Sequence, residues 1–370
     1  MARCIIHIGM HKTGSTSIQQ SLVKFSDDRF LYGGFGELGN HSLTIYTLFS
    51  SNPERHHLHR NAPDRVAAYK AAALKNLQRS IATTRGRTLL LSGEDISALP
   101  EGDLKKLRNY MEKRFENLTV IAYVRPPGGF ISSSFQQRVQ GGGMNVFDPQ
   151  RLYQGYRARF EKFDRVFGRD HVELWKFDPK TFPGGDVVLD FARKLSLTIP
   201  PRRIIRTNES LPAQGVAALY SYNKFGEYAG ANILDGAEGA ALARLFSGEK
   251  FRLSPDAIRP VLADNRPDIA WMEERLGQSL DESLGEHREN DVRTEHDLLR
   301  PNPALAATLR KKLGKAAPPE VTGATPQDIA RLIHTLRTRR RYLDVIWWIN
   351  RVRGEKELTL PAGKAPPLAL

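Results

Sequence analysis

The sequence is poor in cysteine: Cys4 is the only one in 370 residues. A single thiol excludes an intrachain disulfide and any multi-cysteine metal centre, and a cytoplasmic location is the default expectation. No stretch approaches the roughly 18 consecutive apolar residues that a membrane span needs, so stable membrane insertion is not expected. The opening residues, MARCIIHIGM, carry one arginine and an apolar run too short for a secretory leader, with no small-residue cleavage site. They read instead as a first strand over residues 4–9. There is no internal repeat.

What is present is an ordinary globular composition, 40% apolar and 26% charged, in a chain long enough to bury a sizeable core. Lys and Arg number 55 against 41 Asp and Glu, a net charge of +14. That balance favours anionic partners: nucleotides, acidic glycans, nucleic acid or a membrane surface. By itself it selects none of them, and scattered surface arginine would give the same total.

Three short apolar runs read as buried parallel strands: CIIHIG (4–9), TLLLSG (88–93) and LTVIAYV (118–124). Each is followed by a turn and a helical pattern, the alternation of an α/β fold. Ser15 or Thr16 can cap a helix to about Phe25, Asp64 a long helix before the second strand, and Asp103 one reaching Arg114. A fourth strand is expected at HVELWKF (171–177). Further helices are expected near 150–167, 184–195, 212–228, 236–245 and 255–275. The expected architecture is a three-layer, P-loop-like fold with a central parallel sheet between helices. Near residue 278 the composition turns polar and then rich in proline and alanine. The division expected is a nucleotide-binding catalytic domain over 1–277 and a mostly helical C-terminal extension over 278–370. Glycine-rich GGFGELGN (33–40) and GGG (141–143) read as loops around a site.

Residues 7–17, HIGMHKTGSTS, nearly form the P-loop pattern G-x-x-x-x-G-K-[ST]. The position after Gly14 holds Ser15, however, and the lysine stands two residues ahead of the glycine as Lys12. A strand, a glycine turn and a helix N-terminus aim unpaired N–H groups and the helix dipole at one spot. Gly14 permits close approach, Ser15, Thr16 and Ser17 offer hydroxyls, and Lys12 adds charge. A glycine turn with a serine cap needs the same residues. A triphosphate site requires lysine after the second glycine, and that order is broken here. Glu94 and Asp95, just after the second strand, stand where a metal-binding acid of an NTPase would, so an ATP-dependent P-loop kinase remains the alternative enzyme.

A second phosphate signal lies at IAYVRPPGGFISSSFQQRV (121–139). Arg125 ends a strand, Pro126 or Pro127 opens a helix, and Ser133 follows about two turns in. An arginine that pairs with a core carboxylate, beside serines decorating a helix, would also fit these residues. Both loops sit at the C-terminal ends of expected parallel strands, where open α/β sheets bind ligands. Two phosphate sites ask for a nucleotide phosphorylated at two places.

The pair of motifs resembles the sulfotransferases that use 3′-phosphoadenosine 5′-phosphosulfate (PAPS). Lys12, Thr13, Gly14, Ser15 and Thr16, with Ser17 beyond, match the order of that family's 5′-phosphosulfate loop. Arg125, Pro127 and Ser133 match the spacing of its 3′-phosphate motif. Looser similarity to bacterial carbohydrate-type members lies around His41, Glu94, 206–211 and 263–272, so the resemblance spans about residues 4–277. His11 replaces the proline often found before the lysine. The late R-K-G and G-x-x-G-x-W-K segment of the cytosolic small-molecule enzymes has no counterpart.

The resemblance implies transfer of a sulfuryl group from PAPS to a hydroxyl, of a carbohydrate or similar polar metabolite, without metal. Lys12 would stabilise the leaving phosphate oxygen. Three residues compete for the base that accepts the hydroxyl proton: Glu94, favoured by its place in comparable enzymes; His41, in a glycine-rich loop; and His11, beside the lysine. His56, His57 and His59 read as surface residues. The non-enzymatic rival is a basic adaptor that grips nucleic acid or glycan. The expected partners are PAPS and an acceptor, possibly a glycan in class, with no nucleic acid. RTRRRYLDVIWWINRVRG (337–354) reads as a basic helix packing Tyr342, Ile346, Trp347, Trp348 and Ile349 onto the body, followed by a loose tail.

Overall fold

The computed structural model describes residues 3–35, 39–59, 63–207, 210–227, 234 and 236–338. Four apolar runs become parallel strands close to where the pattern puts them: β1 (Arg3–His7), β3 (Thr88–Ser92), β4 (Asn117–Val124) and β5 (Val172–Lys176). A three-residue strand, β2 (Phe30–Tyr32), joins them, and the sheet runs β2-β3-β1-β4-β5, parallel throughout. With β1 central and connections leaving to both sides, the strands' C-terminal ends are where an open parallel sheet of this kind binds ligands.

Helices cover both faces, as the α/β pattern requires. Cys4, Ile6 and Ile8 point into one core layer with Phe49 of α2 (Ser42–Phe49), Leu77 of α3 (Val66–Ala82), Leu107 of α4 (Glu101–Glu112) and Phe160 of α6 (Tyr156–Phe167). Ile5 faces the other layer with Ile18 and Leu22 of α1 (Ser15–Leu22) and Phe191 of α7 (Val187–Leu195). The period-two alternation of β1 feeds the two layers in turn.

By compactness the chain divides into two units. The first comprises residues 1–131, 150–209 and 258–285; the second comprises 132–149, 210–257 and 286–370. The boundary passes through α5 (Pro127–Gln140), after Ile131. The first unit holds the sheet. The second holds α8 (Ala213–Phe225) and α9 (Gly236–Ala243), and, after α10 (Pro255–Asp264) and α11 (Arg266–Leu276), it gains α12 (Glu295–Leu298), α13 (Pro303–Leu313) and α14 (Pro326–Thr338).

Several sequence expectations need local correction. α1 has Gly14, not a hydroxyl residue, at its N-cap, because the turn enters the helix in the left-handed conformation. Asp64 caps no helix; it sits in a short 3-10 turn, Pro63–Arg65, that leads into α3. The expected helix over 255–275 is two helices, since Pro267 lacks an N–H and opens a new one. Helix α2 arises where the sequence offered only a glycine-rich lead-in. His56 and His59 are buried rather than surface residues, each 5% exposed. The basic helix expected over 337–354 lies outside the described residues beyond Thr338, as does the tail. Among the described residues no helix is long and apolar enough to cross a membrane.

Candidate functional site

The turn from β1 into α1 is built on two left-handed residues either side of a threonine: Lys12 at φ 68° and Gly14 at φ 74°. A side chain in that conformation costs roughly 1–2 kcal/mol, and Lys12 bears it because its carbonyl accepts from Arg125 Nη1 at 2.5 Å. Gly14 could not be replaced without collision, since a Cβ there would stand 2.5 Å from Val187 Cγ1. Gly9, also left-handed, is nearly as tight: a Cβ there would stand 2.8 Å from Ser15 Oγ and 3.1 Å from Glu94 Cγ. Among the described residues, the backbone N–H groups of Gly14 to Ser17 donate no hydrogen bond. A row of free N–H groups through a left-handed turn is an anion cradle.

The hydroxyls of this loop divide by task. Thr13 Oγ1 donates to the Met10 carbonyl at 2.6 Å. Ser15 hydrogen-bonds the Glu94 carboxylate. Ser17 Oγ accepts from the Thr207 N–H at 3.1 Å and pairs with the Thr207 hydroxyl at 3.0 Å. Thr16, half-buried, is the hydroxyl of the first helical turn that has no side-chain partner among the described residues.

Three charged groups converge from the ends of three strands. Lys12 follows β1, Glu94 follows β3, and Arg125 follows β4. Burial pushes the Lys12 ammonium down to about 8, with the Arg125 cation pushing the same way and Glu94 opposing. Burial raises the Glu94 carboxyl, against the pull of His11, Ser15 and Lys12. Arg125 is lowered by burial and has Glu282 beside it. Its carbonyl accepts from Tyr156 Oη at 2.6 Å, and its guanidinium lies 5.4 Å from the Phe177 ring centre.

At the start of α5 an anion position is already held by a carboxylate of the chain. Glu282 accepts from the Gly129 N–H at 2.8 Å, facing Arg125. A Cβ on Gly128 or Gly129 would come within 3.0 Å of a Glu282 oxygen, so the glycine pair is what admits the charge. Ser133 lies further along α5, in the second unit, half-buried and without a side-chain hydrogen bond among the described residues.

His41 lies in the core, its backbone packed against Gly93. It is fully buried between the Tyr32 and Phe35 rings, each 4.6 Å away, and its Nδ1 accepts from the Ser92 N–H at 3.0 Å. Burial pushes it down to about 3. The reading of His41 as a base finds no support in this placement; it closes the N-terminus of α2. His11 lies 3.5 Å from Asp95, which also contacts His56. His56, His57 and Asp95 offer potential metal-ligand atoms within 4.8 Å of one another.

Residues invisible from sequence complete the surroundings. Arg159 from α6 is half-buried, donates to Ser97 Oγ at 2.8 Å, and feels Asp95 and Glu94. Nothing in its amphipathic helix marks it, because its role depends on the turn after β3 coming alongside. Glu282 comes from a polar stretch that read as a boundary.

The fold and site therefore define an α/β protein with a cationic, N–H-lined cradle beyond a parallel sheet. The comparisons with known proteins are distant. No protein-family model matches the chain. An uncharacterized protein of Archaeoglobus fulgidus is 24% identical over 126 residues, 33% of this chain and 34% of that protein. The match thus spans about a third of that relative's length. In structure the chain is similar to a sulfotransferase from Alicyclobacillus acidocaldarius, with TM-score 0.40 and 14% identity over 75% of this chain and 96% of that one. It is also similar to the sulfotransferase domain of the Synechococcus PCC 7002 olefin synthase, with TM-score 0.32 and 15% identity, covering 55% and 76% of the two chains.

Proposed function

We propose that the chain is a sulfotransferase that moves a sulfuryl group from PAPS to an acceptor hydroxyl, of a carbohydrate or similar polar metabolite. The observation that carries this reading is the meeting of Lys12, Glu94 and Arg125 at an open row of N–H donors. The residues present fit such a donor: a single 5′-phosphate suits the cradle and Lys12, while Arg125 and the Gly128–Gly129 turn suit a second phosphate once Glu282 yields. Ser133 is the further contact the sequence motif assigns. The donor, when bound, supplies an activated sulfur whose bond to a phosphate oxygen breaks as the acceptor oxygen attacks.

Lys12 and the loop N–H groups hold the negative charge that grows on the phosphate oxygen, a role electrostatic preorganisation performs well. Glu94, raised by burial, takes the acceptor's proton; a carboxyl so displaced is a better base at neutral pH than an exposed one. The domain spanning 1–277 would carry the reaction, with the helical segment after residue 278 appended to it.

Calorimetry with 3′,5′-bisphosphoadenosine and with ATP plus Mg²⁺ tests this directly. Metal-free binding of the bisphosphate, lost in Lys12→Ala, is expected. A preference for ATP with magnesium would establish the kinase instead, and binding indifferent to Lys12→Ala would leave only a basic adaptor. Glu94→Gln is expected to cost about 10²–10⁴ in turnover while leaving bisphosphate affinity intact.

A further inference from the structure

The first turn of α5 has few donors to give. The helix opens on Pro127 with Pro126 before it, and a proline has no N–H. The Phe130 N–H already goes to the Pro126 carbonyl at 3.1 Å. Gly128 and Gly129 are the donors that remain, and both are partners of the Glu282 carboxylate, Gly129 at 2.8 Å. The charges gather tightly around the same point. A Cβ on Gly129 would stand 2.9 Å from Glu282 Oε1, 3.3 Å from Arg125 Nε and 3.4 Å from Arg125 Nη2. Arg125 Nη1 is taken by the Lys12 carbonyl, so the Nε–Nη2 edge is what faces Gly129. That edge matches two oxygens of a carboxylate or a phosphate.

Glu282 is delivered by a segment with neither helix nor strand, residues 279–288. Leu280 is buried in the core, and its N–H donates to Glu273 Oε1 at 2.8 Å. Lys176 Nζ donates to the Ser279 carbonyl at 2.7 Å. Two residues past Glu282, Leu284 closes over Gly128, where a Cβ would stand 2.6 Å from Leu284 Cδ2. Between these anchors Glu282 is an exposed residue, and its side chain can swing into water without opening the core.

We propose that Glu282 is a specificity-determining residue of the nucleotide site, an internal carboxylate that stands in for the second phosphate and competes with it. This rests on the transfer reading above. A nucleotide with a 5′-phosphate alone leaves the Glu282 contact untouched. A second phosphate finds both glycine N–H groups and the arginine edge engaged, and has to displace the carboxylate. A phosphate monoester does so because it brings nearly two charges and three acceptor oxygens, against one charge and two oxygens for Glu282. The affinity of the doubly phosphorylated nucleotide is reduced in proportion to the fraction of molecules in which Glu282 has withdrawn. Glu282 thereby sets how strongly a second phosphate is preferred.

Calorimetry on the full chain tests this with two probes, 3′,5′-bisphosphoadenosine and adenosine 5′-phosphate. Glu282→Gln has nearly the same shape, keeps an oxygen for the Gly129 N–H and loses the charge. It is expected to tighten bisphosphate binding about tenfold and to change adenosine 5′-phosphate binding by less than about twofold. Glu282→Ala, which removes the competing group outright, is expected to tighten the bisphosphate at least as much. A residue that served only to cap α5 from outside would instead lower the urea midpoint of Glu282→Ala and leave the bisphosphate Kd where it was. Bisphosphate affinity within about twofold of the unaltered protein in both variants, or equal tightening of the two nucleotides, overturns the competition alone. If neither the unaltered protein nor the variants bind the bisphosphate, the transfer reading and the competition fall together, so the two failures separate.

Discussion

Gly14 combines two requirements that a single substitution can separate. Its φ of 74° excludes ordinary side chains, and its missing Cβ makes room for Val187 Cγ1. Gly14→Ala should therefore cost about 1 kcal/mol in backbone strain and a further 1–3 kcal/mol, roughly, in overpacking. Urea unfolding of Gly14→Ala, and of the same variant with Val187→Ala, would divide the two. The second change should recover the overpacking part and leave the strain, and no recovery would mean the close approach does not matter. Lys12 makes a prediction in pH. Its native value of about 8 lies below the ordinary 10.5, so the unfolded chain binds more protons between those values and this group adds stability as pH rises through them. An anion in the cradle reverses the effect by restoring the charged ammonium. Binding of bisphosphate between about pH 8 and pH 10 should take up close to one proton. Calorimetry in two buffers of different ionisation enthalpy reads that uptake, and binding without it would mean that the Lys12 ammonium is already charged in the free protein.

At the element scale, the cradle is supported from outside the loop by the start of α7. Asp186 caps that helix, accepting from the Val188 N–H at 2.7 Å, and its other oxygen accepts from Arg206 Nε at 2.6 Å. Removing the cap in Asp186→Ala should cost about 1–2 kcal/mol. Arg206 is 70% exposed, and Arg206→Ala should cost about 0–0.5 kcal/mol; equal losses in thermal unfolding would put the energy in the ion pair rather than the cap. Elements such as β1, β3, β4 and α3 were legible because local pattern alone specifies them: apolar runs between turns, or a long series of good helix formers. β2 was not, since Phe30–Tyr32 is a strand only because β3 offers it an edge. The same holds at the site. Lys12, Glu94 and Arg125 were legible because each follows a strand end, and sheet topology brings such positions together. The His56–Asp95 contact joins residues 39 apart, and Glu282 reaches Gly129 across 153; no spacing rule encodes either.

For the whole molecule, the strongest consequence of the core's polar content is acid sensitivity. His7 and His41 are both fully buried, and burial pushes each from 6.5 down to about 3. His7 ends β1, with Nδ1 2.8 Å from Ser92 Oγ, and His41 accepts from the N–H of that same Ser92. The two imidazoles thus brace the β1–β3 edge from which the cradle and Glu94 emerge. Both are neutral in the native state and protonated in the unfolded chain below pH 6.5, so the unfolded state binds more protons there. Stability is then lost as pH falls from about 6.5 toward 3, at up to about 1.4 kcal/mol per pH unit for each ring. Glu94 and Glu282, raised by burial, act in the opposite sense, because the native state holds their protons more tightly. His59, lowered by burial, and carboxyls held low by their partners, such as Asp95 and Asp103, add to the loss. His41→Gln keeps an acceptor for Ser92 and removes one titrating ring, so its urea midpoints between about pH 6 and pH 4.5 should decline less steeply than those of the unaltered protein, by close to one proton. An unchanged slope would mean that acid unfolding starts elsewhere than in the core beneath the cradle.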